Sequence, residues 1–220
     1  MTNYLIPLLQ TLGMTLISTA LAYLVGLPLG VILNVTGKNG IKPNKIVNTI
    51  LGLIVNVLRS IPCLIIIVIA LPLTRLVFGR GTGDWYIMII PLFLSSFAYV
   101  SRVIEQSLNE VDSGVIEAAK SMGATSYQII TKVLIKEARS SLITGCAVTF
   151  ISIIGYTSFA YDFAGKGLIS QVYETYRMHP TNYLTQVNFW IVIILTVLIV
   201  QIAQQAGLLL SKKLDKRKIK

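Results

Sequence analysis

The residues that could do chemistry are few, and they lie in two places. One is the stretch GVIEAAKSMGATSYQIITKVLIKEARSSL, Gly114 to Leu142, a charged and small-residue insert between long apolar runs. Glu117 is followed directly by Ala118 and Ala119, and Gly123 and Ala124 come soon after. A carboxylate beside residues without bulk suits docking rather than bond-making. A basic or hydrogen-bonding group can reach the charge while another protein's surface closes on the alanines. The same carboxylate near the start of a helix also offsets the helix dipole, by about 0.5 kcal/mol. The other place is a set of hydroxyls inside the apolar runs: Ser95, Ser96 and Ser101, then Thr149, Ser152, Thr157 and Ser158, with Tyr156 among them. They are candidates for lining a pathway, although such hydroxyls commonly bond back to their own helix or join neighbours.

Other chemistries find little support. No nucleophile–base pair, HExxH or paired carboxylate sits at an apolar run, which argues against a membrane enzyme. No G-x-x-x-x-G-K-[ST] occurs, so the chain does not cradle ATP phosphates by that route. His179 is alone, so neither a metal site nor another cofactor is expected. Cys63 and Cys146 lie in apolar runs and read as small buried hydrophobes, without ligand spacing or a disulfide framework. No charge sits at the middle of a run, against an ion-coupled carrier or proton relay. Arg59, beside Pro62, comes nearest and reads as a side chain reaching back to the interface.

The elements that carry these residues follow from composition. The 220 residues are 54% hydrophobic and 13% charged, against about 25% charged in soluble domains. Several apolar runs approach the ~20 residues that cross a bilayer as a helix. The reading is an all-α membrane protein, one domain over 1–220, with five spans. The first runs from Leu5 to Leu33 and carries Gly26, Pro28 and Gly30, which spans tolerate. The second lies within Ile46–Phe78, broken at Pro62 into a short interfacial helix and a span from Pro62 to Val77. The third is Trp85 to Val103, with Trp85 and Tyr86 placed like an interfacial belt. The fourth is Leu142 to Ala160 and the fifth Phe189 to Leu210. No repeat stands out. The opening MTNYLIPLLQ lacks a basic region, so a cleaved signal peptide is not expected.

Net charge is +10, and its distribution sets orientation. Lys38, Lys42 and Lys45 follow the first span; Lys120, Lys132, Lys136 and Arg139 lie between the third and fourth; the tail SKKLDKRKIK is densest. Arg75, Arg80, Lys166 and Arg177 are on the other side. The positive-inside rule puts the N-terminus outside and the C-terminus in the cytoplasm, which an odd number of spans requires. The tail reads as an anchor against anionic headgroups of the lipid bilayer, not a nucleic-acid site.

The insert, drawn as 105–141, is then cytoplasmic. Asp112 or Ser113 can cap a first helix holding Val115, Ile116, Ala118, Ala119 and Met122, and Gly123 is placed to end it in the left-handed conformation. Thr125-x-x-Gln128 is a capping box that starts a second helix with an apolar stripe at Ile129, Ile130, Val133 and Leu134. The plain alternative is an amphipathic helix pair lying on the membrane.

EAAKSMGA, Glu117 to Ala124, resembles the signature of permease subunits of bacterial ABC importers: E-A-A, three residues, glycine, then nine residues and an apolar ending. Glu117, Ala118, Ala119, Gly123, Val133 and Ile135 match, while Lys136 stands where that family usually has proline. NVLRSIPCLIIIVIALPLTRLVFG (Asn56–Gly79), GLPLGVIL (Gly26–Leu33) and IIGYTSFA (Ile153–Ala160) are similar to the methionine importer permeases, and the likeness covers nearly the whole chain. Tyr161 to Tyr183 departs, with Asp162, Lys166, Glu174, Arg177 and His179 in a stretch that is glycine-rich in that family. The resemblance implies a multi-pass permease of the bacterial cytoplasmic membrane, acting as a homodimer. It implies coupling helices at Glu117, Ala118, Ala119, Gly123 and Ala124 that dock on a pair of ABC ATPase subunits. It also implies an extracytoplasmic substrate-binding protein or lipoprotein, and a small-molecule cargo, methionine or a related amino acid. A rival within the family is another cargo: another amino acid, a small peptide or a quaternary amine. A rival outside it is an ATP-independent carrier, which leaves the helix–glycine–helix insert without a purpose.

Overall fold

The computed structural model describes residues 4–164 and 166–215, and they are helical throughout, with no strand among them. The tail residues Lys216, Arg217, Lys218 and Lys220 and the first three residues lie outside the described part. Four helices are long and apolar enough to cross a membrane: α1 (Leu5–Thr36), α4 (Ile89–Asn109, entered through a 3-10 turn at Trp85–Met88), α8 (Arg139–Tyr156) and α11 (Val187–Leu214). The fifth span is a bent pair, α2 (Lys45–Ser60) and α3 (Cys63–Phe78), which meet at 103°.

Proline explains that bend. Pro62 has no N–H and holds the residue before it in extended backbone, so α2 stops at Ser60 and α3 starts at Cys63. Asn44 caps α2, accepting the Val47 N–H at 3.1 Å. α2 turns Gly52 and Val55 inward and leaves Ile46, Ile50, Leu53 and Val57 exposed, the pattern of a helix lying in an interface. Arg102 fastens α2 to the bundle: its Nη2 donates to Gly52 O at 2.9 Å while Nη1 pairs with Glu105.

The centre of the bundle is α1 against α4. α1 turns Thr11, Met14, Thr15, Ser18, Ala22, Gly26, Gly30 and Leu33 inward, at spacings of three and four. A Cβ on Gly26 would stand 2.6 Å from Val100 Cγ1, and one on Gly30 2.6 Å from Ser101 O. Only glycine permits that approach, so Gly-Leu-Pro-Leu-Gly acts as a small-xxx-small seam. Ser18 adds a bond across it, donating to Ile89 O at 3.1 Å.

Three sequence expectations change. Trp85 is half-buried against Gly13 and joins the core around Met14 and Met88, so it is a packing residue more than a belt residue. Both cysteines are free but only half-buried, Cys63 packing against the flank of the core around Met14 and Met88. Finally, α4 extends to Asn109 and α8 begins at Arg139, past the span ends expected at Val103 and Leu142.

Candidate functional site

The insert folds as two short arms that double back under the bundle. Asp112 opens the first arm, α5 (Ser113–Ser121), by accepting the Gly114 N–H at 2.6 Å. At the far end Gly123 takes φ +77°. Its N–H donates to Lys120 O at 2.9 Å, and the Ala124 N–H donates to Ala119 O at 3.1 Å. These two bonds close the helix end as a Schellman motif. The expected capping box then starts the second arm: Gln128 N donates to Thr125 Oγ1 at 3.3 Å, and Thr125 N to Gln128 Oε1 at 2.9 Å.

The second arm is not a uniform α-helix. After α6 (Ser126–Gln128) it widens to a π-helix over Ile129–Leu134, then narrows again in α7 (Ile135–Glu137). Ile129 and Leu134 are both buried, as the apolar stripe requires. The apolar spacing alone could not separate a helix with i→i+5 bonds from an ordinary one. Lys136 does not stop the arm; the chain breaks two residues later, at Ala138, before α8.

Burial divides the loop into a fixed face and a presented face. Ala119 is 4% exposed and Ile116 half-buried. Ile116 packs into a cluster with Val111, Leu134 and Ala138 that continues into Val100, Ile104 and Leu108 of α4 and Ala22 of α1. α5 is thus joined to the α1–α4 seam by one continuous cluster of packed side chains. Glu117, Ala118, Gly123 and Lys120 are exposed, and Ala124 is half-buried. Beside them Met122 is 81% and Tyr127 75% exposed. Sequence reasoning placed Met122 in the helix's apolar set and did not single out Tyr127. The available signal was two large apolar side chains flanking the glycine turn on an otherwise polar surface.

The seven candidate pathway hydroxyls of serine and threonine all bond back to backbone of their own helical segments. Ser95 donates to Pro91 O at 2.8 Å, Ser96 to Leu92 O at 2.5 Å and Ser101 to Phe97 O at 2.8 Å. Thr149 donates to Gly145 O at 2.8 Å, Ser152 to Val148 O at 2.9 Å, Thr157 to Ile154 O at 2.6 Å and Ser158 to Gly155 O at 2.8 Å. Ser95, Ser96, Thr149 and Thr157 are buried, whereas Ser152 and Tyr156 are half-buried. Ser95 lies within hydrogen-bonding reach of Cys63, and Tyr156 shares the neighbourhood of Cys63 and Tyr99. The bundle thus brings Ser95 and Tyr156 toward one region, with Tyr99 and the Cys63 thiol.

At the opposite end the connection from α9 (Ala160–Phe163) through α10 (Ser170–Met178) is tied down by polar contacts. Thr11 Oγ1 accepts the Leu168 N–H at 2.8 Å and Gln10 Oε1 accepts the Gly167 N–H at 3.2 Å. Tyr161 stacks on Tyr173 at 5.0 Å. The Tyr161 hydroxyl accepts from Arg177 Nη1 at 2.7 Å, and that bond holds the exposed guanidinium above its ordinary pKa. His179 is exposed, and no group of three metal-ligating side chains occurs among the described residues.

Known proteins share this arrangement. Residues 26–216 match the family model described as the binding-protein-dependent transport system inner membrane component. The probable D-methionine transport system permease protein MetI of Pasteurella multocida is 39% identical over 209 residues, spanning 95% of this chain and 94% of that one. The protein of the same description from Haemophilus influenzae is 38% identical, spanning 94% and 95%. An inward-facing structure of the MetNI methionine ABC transporter aligns at TM-score 0.87 and 33% identity over 94% of each chain. An amino acid ABC transporter solved with histidines, at 20% identity and TM-score 0.72, shares the fold. The chain belongs to the family of binding-protein-dependent transport system inner membrane components.

Proposed function

We propose that this chain is the membrane-spanning subunit of an ATP-driven importer for methionine, or a related small amino acid. Two copies enclose the pathway between them. ATP is hydrolysed on a separate pair of ATPase subunits and not on this chain. Those subunits grip α5, with Glu117 as the polar contact and Ala118, Gly123, Ala124, Met122 and Tyr127 as the surface they close upon. When ATP draws the two ATPases together, both α5 helices move, and the spans rock from inward-open to outward-open around a central site. This is a rigid-body switch worked from a distance. The loop and the C-terminus lie in the cytoplasm, the N-terminus outside. A binding protein delivers cargo to the Tyr161–Tyr183 side.

The observation that carries the reading is the loop itself: a helix closed at Gly123, fixed to the bundle by Ile116 and Ala119, with an exposed carboxylate, small residues and two uncovered apolar side chains. A membrane-lying helix pair would turn Met122 and Tyr127 toward lipid, but the loop's apolar stripe already faces the bundle. The names of the relatives support the cargo. For the pathway, Ser95, Ser152 and Tyr156 form the preferred lining, with Tyr99 and Cys63 beside them. Aromatic rings and sulfur suit a thioether side chain. Another cargo is favoured at one point only, the charged Tyr161–Tyr183 segment, where a different binding protein would be read.

The test is reconstitution in liposomes with the ATPase and binding protein encoded beside this chain. ATP-dependent uptake of labelled L- and D-methionine is expected, and Glu117→Ala with Gly123→Asp should abolish it while the variant still inserts and purifies normally. ATP hydrolysis stimulated by the binding protein without methionine uptake would discard the cargo alone. Uptake that ignores ATP would sink the whole reading. Cysteine accessibility at Lys120 and Arg177 from either side of the membrane tests the orientation.

A further inference from the structure

An apolar groove runs between α1, α8 and α11 and ends in a basic cleft. Its outer part, about 460 Å³, is lined by Leu8, Leu12, Leu195 and Ile202 with Leu16, Phe150 and Ala203. The inner part, about 530 Å³, shares those last three residues and continues past Ala147 and Gly207 to Leu210. One turn further along the same helix faces the lining changes. Ile143 of α8 gives way to Arg139 and Ser140, and Leu210 of α11 to Leu214. These enter a cleft of about 380 Å³ with Lys132, Lys136, Glu137 and Asp215. Arg139 is fixed at its mouth by Nε donating to Leu214 O at 2.8 Å.

We propose that groove and cleft together hold one anionic phospholipid. The phosphate lies among Lys132, Lys136 and Arg139, and an acyl chain lies along Ala147, Ala203 and Gly207. Length suffices: Leu195 to Leu210 is about 22 Å of helix at 1.5 Å per residue, more than the ~15 Å of half a hydrocarbon core. Chemistry fits as well, because an uncharged strip ending in cations at the membrane surface is the profile of such a lipid. Lys212 and Lys213 add exposed cations in the last turn of α11, so positive charge exceeds the two carboxylates. A second copy of the chain suits this face poorly. Two copies inserted in the same sense and related by a two-fold axis would set like cations of equal depth against each other. The proposal depends on the orientation given above only for the choice of leaflet. Lys132 and Lys136 belong to the second arm of the coupling loop, so the headgroup ties that arm to the membrane surface.

The experiment places the full chain in phosphatidylcholine nanodiscs with spin-labelled phosphatidylglycerol or spin-labelled phosphatidylcholine as probe, and measures the immobilised fraction. It involves no transport, so failure of the cargo reading leaves it intact. Preference for phosphatidylglycerol is expected. Lys132→Gln with Lys136→Gln, both at exposed positions, should reduce that preference by about fivefold per lysine, the worth of a cation near an anionic surface. Ala206→Phe, which fills the groove, should lower binding of both probes. Equal binding of the two lipids by the unaltered chain would overturn the proposal, as would a preference that survives the double lysine change. Displacement of the probe by glycerol phosphate, with no effect of Ala206→Phe, would mark a soluble phosphate site instead and overturn it too. So would spontaneous disulfide linkage of two copies through Ala206→Cys.

Discussion

α1 and α11 are long spans of nearly equal hydropathy, yet a third of α1's apolar window is buried and only 6% of α11's. The lengths of their small-residue rows account for the difference. α1 carries Thr11, Gly13, Thr15, Ser18, Ala22, Gly26 and Gly30 along one side, and α4 closes onto that side. α11 buries only Val192 and Ser211. It leans on α8 where Gly207 meets Ala147, and through Ser211, which shares hydroxyl contacts with Ser140 at 2.8 Å and Thr144 at 3.0 Å. At the other end the Tyr4 hydroxyl bonds to Asn188. In a bilayer, lipid tails solvate Leu and Ile as well as a neighbouring helix does, so large apolar side chains do not pull helices together. Close backbone approach and hydroxyl pairs do. Hydropathy therefore says that a segment crosses, and small residues say what it crosses beside.

The strongest way to break this contrast is to remove the seam. Gly30→Leu would drive a side chain into Ser101 O, a backbone atom with no rotamer to adopt. α1 and α4 must part along their length, at a cost at or above the upper end of the ~1–3 kcal/mol typical of overpacking. The expected result is loss of a monodisperse protein in detergent, read by size exclusion after graded heating. A Gly30→Leu chain as heat-resistant as the unaltered one would show that the seam does not hold the bundle.

Much of this architecture was legible in the sequence, and the parts that were not share a cause. The five spans, the break at Pro62, a helix cap at Asp112 or Ser113, the Gly123 stop and the Thr125–Gln128 box all follow from local rules about apolar length, missing donors and orphan N–H groups. Those rules act within a few residues, so the chain states them directly. The placement of Glu117, Ala118 and Ala119 on a helix closed at Gly123 was legible through spacing, and the docking role given to them and Ala124 is the proposal made above. What sequence did not yield depends on partners far along the chain. Gly26 and Gly30 were visible as span glycines, but not that Val100 and Ser101 oppose them. Arg102 grips Gly52, a contact that needs the fold of α2. The π-helix at Ile129–Leu134 leaves the apolar pattern of the second arm intact, so pattern could not reveal it.

Two substitutions sharpen the comparison at intermediate size. Thr11→Val removes the acceptor of the buried Leu168 N–H and should cost about 1–3 kcal/mol, the penalty for an orphaned buried donor. The amide of Leu168 should exchange faster by a corresponding factor in hydrogen exchange, while amides of α5 stay unchanged. Gly207→Ala puts a methyl 2.3 Å from Ala147 Cβ. The clash is as close as any on α1, but α11 has so little else buried that it can tilt away. We expect about 1 kcal/mol, with faster exchange at Ser211 as its hydroxyl contacts loosen. A cost equal to that of Gly30→Leu would mean that α11 is held by something beyond its own chain.

The smallest expected effect discriminates most finely. Ile202 is 68% exposed on α11 and borders the apolar groove. If lipid covers that face, Ile202→Ala exchanges one lipid-solvated side chain for another. Stability should then move by no more than ~0.5 kcal/mol, as for a surface position. If a second copy of the chain packs there, the same substitution opens a cavity and costs about 2–5 kcal/mol. The two outcomes differ enough to separate by chemical unfolding in one detergent at two protein concentrations. A cost that shrinks as the protein is diluted points to a partner copy, because the association that the substitution weakens stabilises by mass action. A small cost independent of concentration leaves the outer face of α11 to lipid, and its small residues Gly207 and Ser211 then serve the contact with α8 alone.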